Sequence, residues 1–168
     1  MAQGAEGIIF DVRDNPGGYR TELVKILDDL LPEGPLFRSV SSLGIETTDE
    51  SDENCVNLPM VVLVNGESYS AAEFFAAALS EYDWATVVGM PTCGKGYYQQ
   101  TFRLSDGSAV GLSVGAYYTP KGVNLAETGG LVPDVEVPVD ENTAAQIYAG
   151  LVAPMDDPQV LAALELLP

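Results

Sequence analysis

The chain has 168 residues with 25 Asp or Glu, 7 Lys or Arg and no His, giving a formal charge of −18. That length is enough for a packed core, and the acidic balance leaves nothing to neutralise a phosphate backbone, which excludes nucleic acid and makes anionic lipid a poor partner. The lack of histidine excludes Ser-His-Asp hydrolases, Cys-His proteases, imidazole zinc sites and a histidine general base. Acid–base chemistry here must rest on Lys, carboxylates, Tyr or Cys.

Gly7 to Val12 (GIIFDV) reads as a strand, and Asn15-Pro16-Gly17-Gly18 as the turn that follows it. From Tyr19 to Leu31, Leu23, Ile26, Leu27, Leu30 and Leu31 recur at the spacing of an amphipathic helix that Pro32 ends. Leu36 to Val40 and Gly44 to Thr48 are expected to form a hairpin, with the acidic run Asp49 to Asn54 as a solvated loop. Met60 to Val64 (MVVLV) is apolar throughout, as the buried interior of a parallel sheet requires. Asn65 to Ser68 turns the chain, and Ser70 to Ser80 is a helix apolar almost all round. Ala85 to Gly89 is a third short strand before the loop Pro91 to Gly96. Gln100 to Leu104 and Ala109 to Tyr118 flank Ser105-Asp106-Gly107-Ser108 as an antiparallel hairpin, and Asp157-Pro158 opens a last helix ending near Leu167.

No apolar run approaches the roughly 20 residues a membrane-spanning helix needs, and the opening Met1 to Gly7 has neither the basic nor the apolar part of a targeting signal. That opening reads as the middle of a helix-to-strand turn with a methionine in front, as in a piece of a longer protein. Two cysteines, Cys55 and Cys93, cannot make a four-thiolate metal site, and their spacing leaves open whether they pair.

Strand, helix, strand, helix, strand predicts a parallel βαβαβ unit, and parallel strands send the loops after them to one edge of the sheet, where open α/β folds place ligands. Arg13 to Gly18, Asn65 to Ser70 and Met90 to Gly96 therefore gather on one rim. Ser70-Ala71-Ala72-Glu73 fits a capping box. Equally, Ser70 at a helix N-terminus is placed as a nucleophile, with Ser68 free to cap instead. Without histidine, the base nearest to it is Lys95, which is either a surface residue of a glycine turn or, if desolvated enough to lower its ordinary pKa of about 10.4, a general base. Gln99 could hold that amine only if residues 95–99 form a turn, because a strand separates the two side chains by about 13 Å. Backbone amides at Gly17 and Gly18 could form an anion nest.

These segments together resemble the carboxyl-terminal processing peptidases, or tail-specific proteases, of serine peptidase family S41. Gly7 through Gly18 is similar to the family's strand and glycine loop, Val61 through Glu73 to its nucleophile segment, and Val87 through Gly96 to its lysine segment. Leu104 to Ser108, Tyr118 to Gly122 and Gly130 to Asp134 resemble later family signatures, and the interval from Ser70 to Lys95 is 25 residues. The resemblance implies an α/β, Clp protease/crotonase-like core with the parallel βαβαβ unit and a C-terminal antiparallel hairpin. It assigns Ser70 as nucleophile, Lys95 as base, Gln99 as third member, and Gly17 and Gly18 as oxyanion or substrate-binding residues, with no cofactor and no metal. It further implies protein or peptide substrates cut near their C-termini and an extracytoplasmic location. Residues 1–168 are expected to form a single core domain, without the PDZ domain and N-terminal core segments that the family usually carries. Two rivals keep a related fold: a non-catalytic scaffold that binds an extended peptide, and an acyl-CoA enzyme, which this acidic chain ill suits.

Overall fold

The computed structural model describes residues 4–168; Met1 to Gln3, the start of the opening discussed above, lie outside them. A parallel sheet is built from β1 (Ile8–Asp11), β4 (Met60–Val64), β5 (Ala85–Gly89) and β8 (Val135–Glu136), in the order β1-β4-β5-β8. Helix α2 (Ala71–Glu81) joins β4 to β5, while α1 (Arg20–Leu30) follows β1. Every residue of β4 is buried, for a definite reason. Met60, Val62 and Val64 pack into the core with α1 and α2, whereas Val61 and Leu63 pack with Ala163 of α5 (Pro158–Glu165) on the other face. A strand covered on both faces cannot alternate apolar with polar, and its sequence does not. Burial of each such side chain contributes about 1.5–3 kcal/mol.

The second sheet is antiparallel, in the order β3-β2-β7-β6, from β2 (Gly34–Ser41), β3 (Glu46–Ser51), β6 (Tyr97–Arg103) and β7 (Ala109–Tyr118). Both expected hairpins are present, and pairing between β2 and β7, from Arg38↔Tyr118 to Ser41↔Gly115, joins them. The join seats Phe37 and Tyr117 against Phe74 of α2, with ring centroids 4.8 to 5.8 Å apart. It also brings the start of β6 to the amino end of α2.

The acidic run departs from the expectation of a loop. Asp49 to Ser51 continue β3, because Ser51 pairs with Gly34 and its hydroxyl donates to the Gly34 carbonyl at 3.2 Å. Asp49 forms an ion pair with Arg20. Beyond Tyr118, α3 (Leu125–Thr128), β8 and α4 (Glu141–Tyr148) are elements that the sequence pattern did not announce. The first two are too short to show a period, and α4 buries none of its residues.

Candidate active site

The three loops after β1, β4 and β5 meet through direct hydrogen bonds. Asp14 N donates to Asn65 Oδ1 at 3.0 Å, Tyr69 N to the Asn15 carbonyl at 3.2 Å, and Cys93 N to the Ser68 carbonyl at 3.2 Å. Ser68 does not cap α2: its hydroxyl donates to the Val12 carbonyl at 2.7 Å and accepts from Asn65 N at 3.0 Å. It pins the end of β1 to the end of β4. Arg13 anchors the first loop from below, donating to Asp11 at 2.6 and 2.8 Å, to Asp157 at 2.8 Å and to Gln159 at 2.8 Å. Burial opposes its charge, but the two carboxylates more than compensate, and its pKa is raised.

Ser70 stands at the amino end of α2 with φ 59° and ψ −123°, a conformation that L side chains rarely adopt. Two features hold it there. Gly17, itself at φ +85°, lies so close above that an added Cβ would sit 2.7 Å from Ala71 N and 3.0 Å from Ser70 Cβ. Below, Glu73 accepts from Ser70 N at 2.8 Å.

Glu73 is fully buried and accepts four hydrogen bonds. Oε2 takes Ser70 N and Lys95 N, each at 2.8 Å, while Oε1 takes Gly94 N and the Thr92 hydroxyl, each at 2.8 Å. One carboxylate oxygen thus bridges the main chains of Ser70 and Lys95. The Ser-x-x-Glu spacing predicts the contact to Ser70 but carries no trace of the three contacts to the loop after β5. Gly94, at φ +85°, packs against Gly129 and Gly130 closely enough to leave an added Cβ only 2.8 Å from either. Close backbone packing beside Lys95 is therefore as the flanking glycines imply.

The Lys95 side chain lies differently from the inward, desolvated placement considered above. It is half-buried, its ammonium 5.5 Å from the centroid of the Tyr69 ring, a cation–π arrangement. Among the described residues, no hydrogen bond joins it to the Ser70 hydroxyl. Gln99 does not touch it either: β6 begins at Tyr97, so residues 95–99 form no turn, and Gln99 Nε2 donates to the Tyr97 carbonyl at 3.1 Å. Of the two glycines considered for an anion nest, Gly17 commits its amide to Asn15 Oδ1 at 2.9 Å. The amides of Gly18 and Ala71 have no acceptor among the described residues.

Ser70, Gly18 and Gln99 border a cavity of about 440 Å³, with Phe37, Phe74 and Tyr117 in its wall. The Tyr117 hydroxyl donates to the Lys95 carbonyl. Burial pushes this phenol far above its ordinary range, and the neighbouring Ser70 side chain pulls the other way. A tyrosine in a strand 47 positions from the serine gives no sequence signal for this contact. Cys55 and Cys93 are both free thiols.

A family model described as "Peptidase family S41" matches residues 1–137. A "Carboxyl-terminal-processing protease" of Synechocystis sp. is 38% identical over 168 residues, covering 98% of this chain and 38% of the relative. The "C-terminal processing peptidase, chloroplastic" of Tetradesmus obliquus is 35% identical over 159 residues, covering 90% of this chain and 34% of the relative. Among solved structures, the "Photosystem II D1 C-terminal processing protease" superposes with a TM-score of 0.73 at 37% identity, over 81% of this chain and 36% of that one. The chain thus spans little more than a third of the length of these relatives.

Proposed function

The chain belongs to peptidase family S41 and has its α/β, Clp protease/crotonase-like core, and from that premise we propose that it carries the nucleophile and base of a serine endopeptidase that cuts protein chains near their carboxyl termini. Residues 1–168 act as one unit of the peptidase core, in an extracytoplasmic setting. The observation that carries the reading is the buried Glu73 carboxylate, which fastens a strained, cavity-facing Ser70 and the Lys95 loop to the same oxygen atom.

In this reading the substrate enters the cavity and its carbonyl comes to rest beside Ser70. Rotation of the Lys95 side chain off the Tyr69 ring brings Nζ to the Ser70 hydroxyl, because Tyr69 and Ser70 are adjacent. Lys95 takes the proton as Ser70 Oγ attacks; the Gly18 and Ala71 amides and the helix terminus hold the oxyanion. The ammonium then protonates the departing amine, leaving an acyl-enzyme that water hydrolyses with Lys95 again as base.

The test is turnover of an unstructured polypeptide, followed by mass spectrometry, together with labelling by a fluorophosphonate. Cleavage and a covalent adduct on Ser70, both lost in Ser70→Ala and cleavage lost in Lys95→Ala, are expected. Cleavage that survives Ser70→Ala would overturn the assignment.

A further inference from the structure

Resting on the reading of Lys95 as base, we propose that Thr92 and Asn124 are positioning residues for it, through which residues 124–131 anchor the loop after β5 so that the amine can reach Ser70. Neither touches the reacting atoms. Lys95 has to swing its side chain from the Tyr69 ring to Ser70, so its reach is set by where its main chain is held. Glu73 and the Tyr117 hydroxyl hold the amide and the carbonyl of Lys95 itself. The residues on either side are held from further along the chain.

Asn124 holds the far side. It is 3% exposed; its Nδ2 donates to the Gly96 carbonyl at 3.0 Å and to the Tyr117 carbonyl at 3.1 Å, while Oδ1 accepts from Ala126 N at 2.9 Å. Oδ1 alone would suffice to cap α3. The Nδ2 bonds reach beyond that helix, and one of them lands on the residue next to Lys95. An added Cβ on Gly96 would overlap the carboxamide, so only glycine after Lys95 lets Asn124 come this close.

Thr92 holds the near side. Its amide donates to the Leu131 carbonyl at 3.0 Å, and its hydroxyl accepts from Leu131 N at 2.8 Å. An amide can only donate, so the single hydroxyl proton is left for Glu73 Oε1, 2.8 Å away. The direction of that bond is thereby set, and it orients the carboxylate whose other oxygen receives Ser70 N and Lys95 N. Gly130, at φ +104°, has no room for a Cβ against the Thr92 carbonyl.

The test compares kcat and KM for an unstructured polypeptide in the wild-type chain, Thr92→Val, Thr92→Ser and Asn124→Ser. Valine keeps the shape of threonine and loses both hydroxyl bonds, whereas serine at 92 keeps them; serine at 124 can cap α3 but is too short to reach Gly96. Ser51→Ala, which removes a buried hydroxyl bonded to the Pro32 and Gly34 carbonyls, controls for lost stability. Thr92→Val and Asn124→Ser should lower kcat about 10- to 100-fold with KM within about twofold, and Thr92→Ser should stay within about threefold of wild type. Ser51→Ala should leave both constants as they are. Without turnover, the amides of Gly94 and Lys95 should exchange hydrogen about 10-fold faster in both variants, relative to those of Val62 and Leu63 in β4. Should Thr92→Val fail to fold by circular dichroism, Asn124→Ser carries the same comparisons. Unchanged kcat, a loss matched by Ser51→Ala, or a Thr92→Ser variant as slow as Thr92→Val would overturn the proposal. A wild-type chain that cuts nothing would remove the base assignment, and exchange then decides the anchoring alone: accelerated Gly94 and Lys95 amides uphold it, and unchanged ones overturn it.

Discussion

The cavity has two unlike walls. On one side, the amino end of α2 borders it and is tied by the buried Glu73, through four hydrogen bonds, to the partly exposed loop after β5. On the other, β6 is an outer strand, exposed along most of its length, where Gln99 bonds only to its own neighbours Tyr97 and Ser113. The first wall fixes main chain and the second offers side chains that can move. Placing a nucleophile demands the former, because a small displacement of a reacting atom is costly in rate; admitting varied polypeptides is compatible with the latter.

Substitutions grade this contrast. The largest effect is expected at the proposed nucleophile and base: Ser70→Ala should lower kcat by at least about 10⁴-fold, and Lys95→Ala by a comparable factor, with the fold retained by circular dichroism. Next comes Glu73→Ala, which strands the amides of Ser70, Gly94 and Lys95. At about 1–3 kcal/mol for each buried donor left unpaired, a loss of about 3 kcal/mol or more is expected in urea unfolding. Thermal unfolding should fall by roughly 6–12 °C. A change below about 0.5 kcal/mol would mean that the first wall is held by something other than this carboxylate.

Tyr117→Phe removes one bond across the join between the walls, to the Lys95 carbonyl. About 1 kcal/mol of stability should go with it, along with a drop in kcat larger than any change in KM, since the lysine loop is displaced and the cavity wall is kept. Smallest should be Gln99→Ala, within about 0.5 kcal/mol in stability and far short of Lys95→Ala in rate. A rate loss equal to that of Lys95→Ala would erase the distinction between the walls, because it would require β6 to refold so that Gln99 reaches the lysine.

The fixed wall was also the more legible one, though only in outline. An unbroken apolar run such as Met60 to Val64 has few structural explanations, and the parallel order it implies already sends the loops bearing Ser70 and Lys95 to one edge. What escaped was every contact made across distance. Glu73 looks like a local helix cap because its first partner is three residues away, while its other partners lie 19 to 22 residues on. Pairing of β2 with β7 joins strands from distant parts of the chain and leaves no mark on either. The Arg13 clamp depends on α5, whose acceptors Asp157 and Gln159 become neighbours only when the sheet is complete. The four-residue spacing from Lys95 to Gln99 allows contact only in a turn, and β6, which begins at Tyr97, forms a strand there instead.

The backbone at Ser70 has a thermodynamic corollary. A serine forced to φ 59° and ψ −123° holds roughly 1–3 kcal/mol of conformational strain, which glycine, lacking a Cβ, would not incur. Ser70→Gly should therefore remove the proposed nucleophile and yet raise the midpoint of thermal unfolding, offset only by glycine's greater freedom when unfolded. Reactivity and durability compete at a single α-carbon.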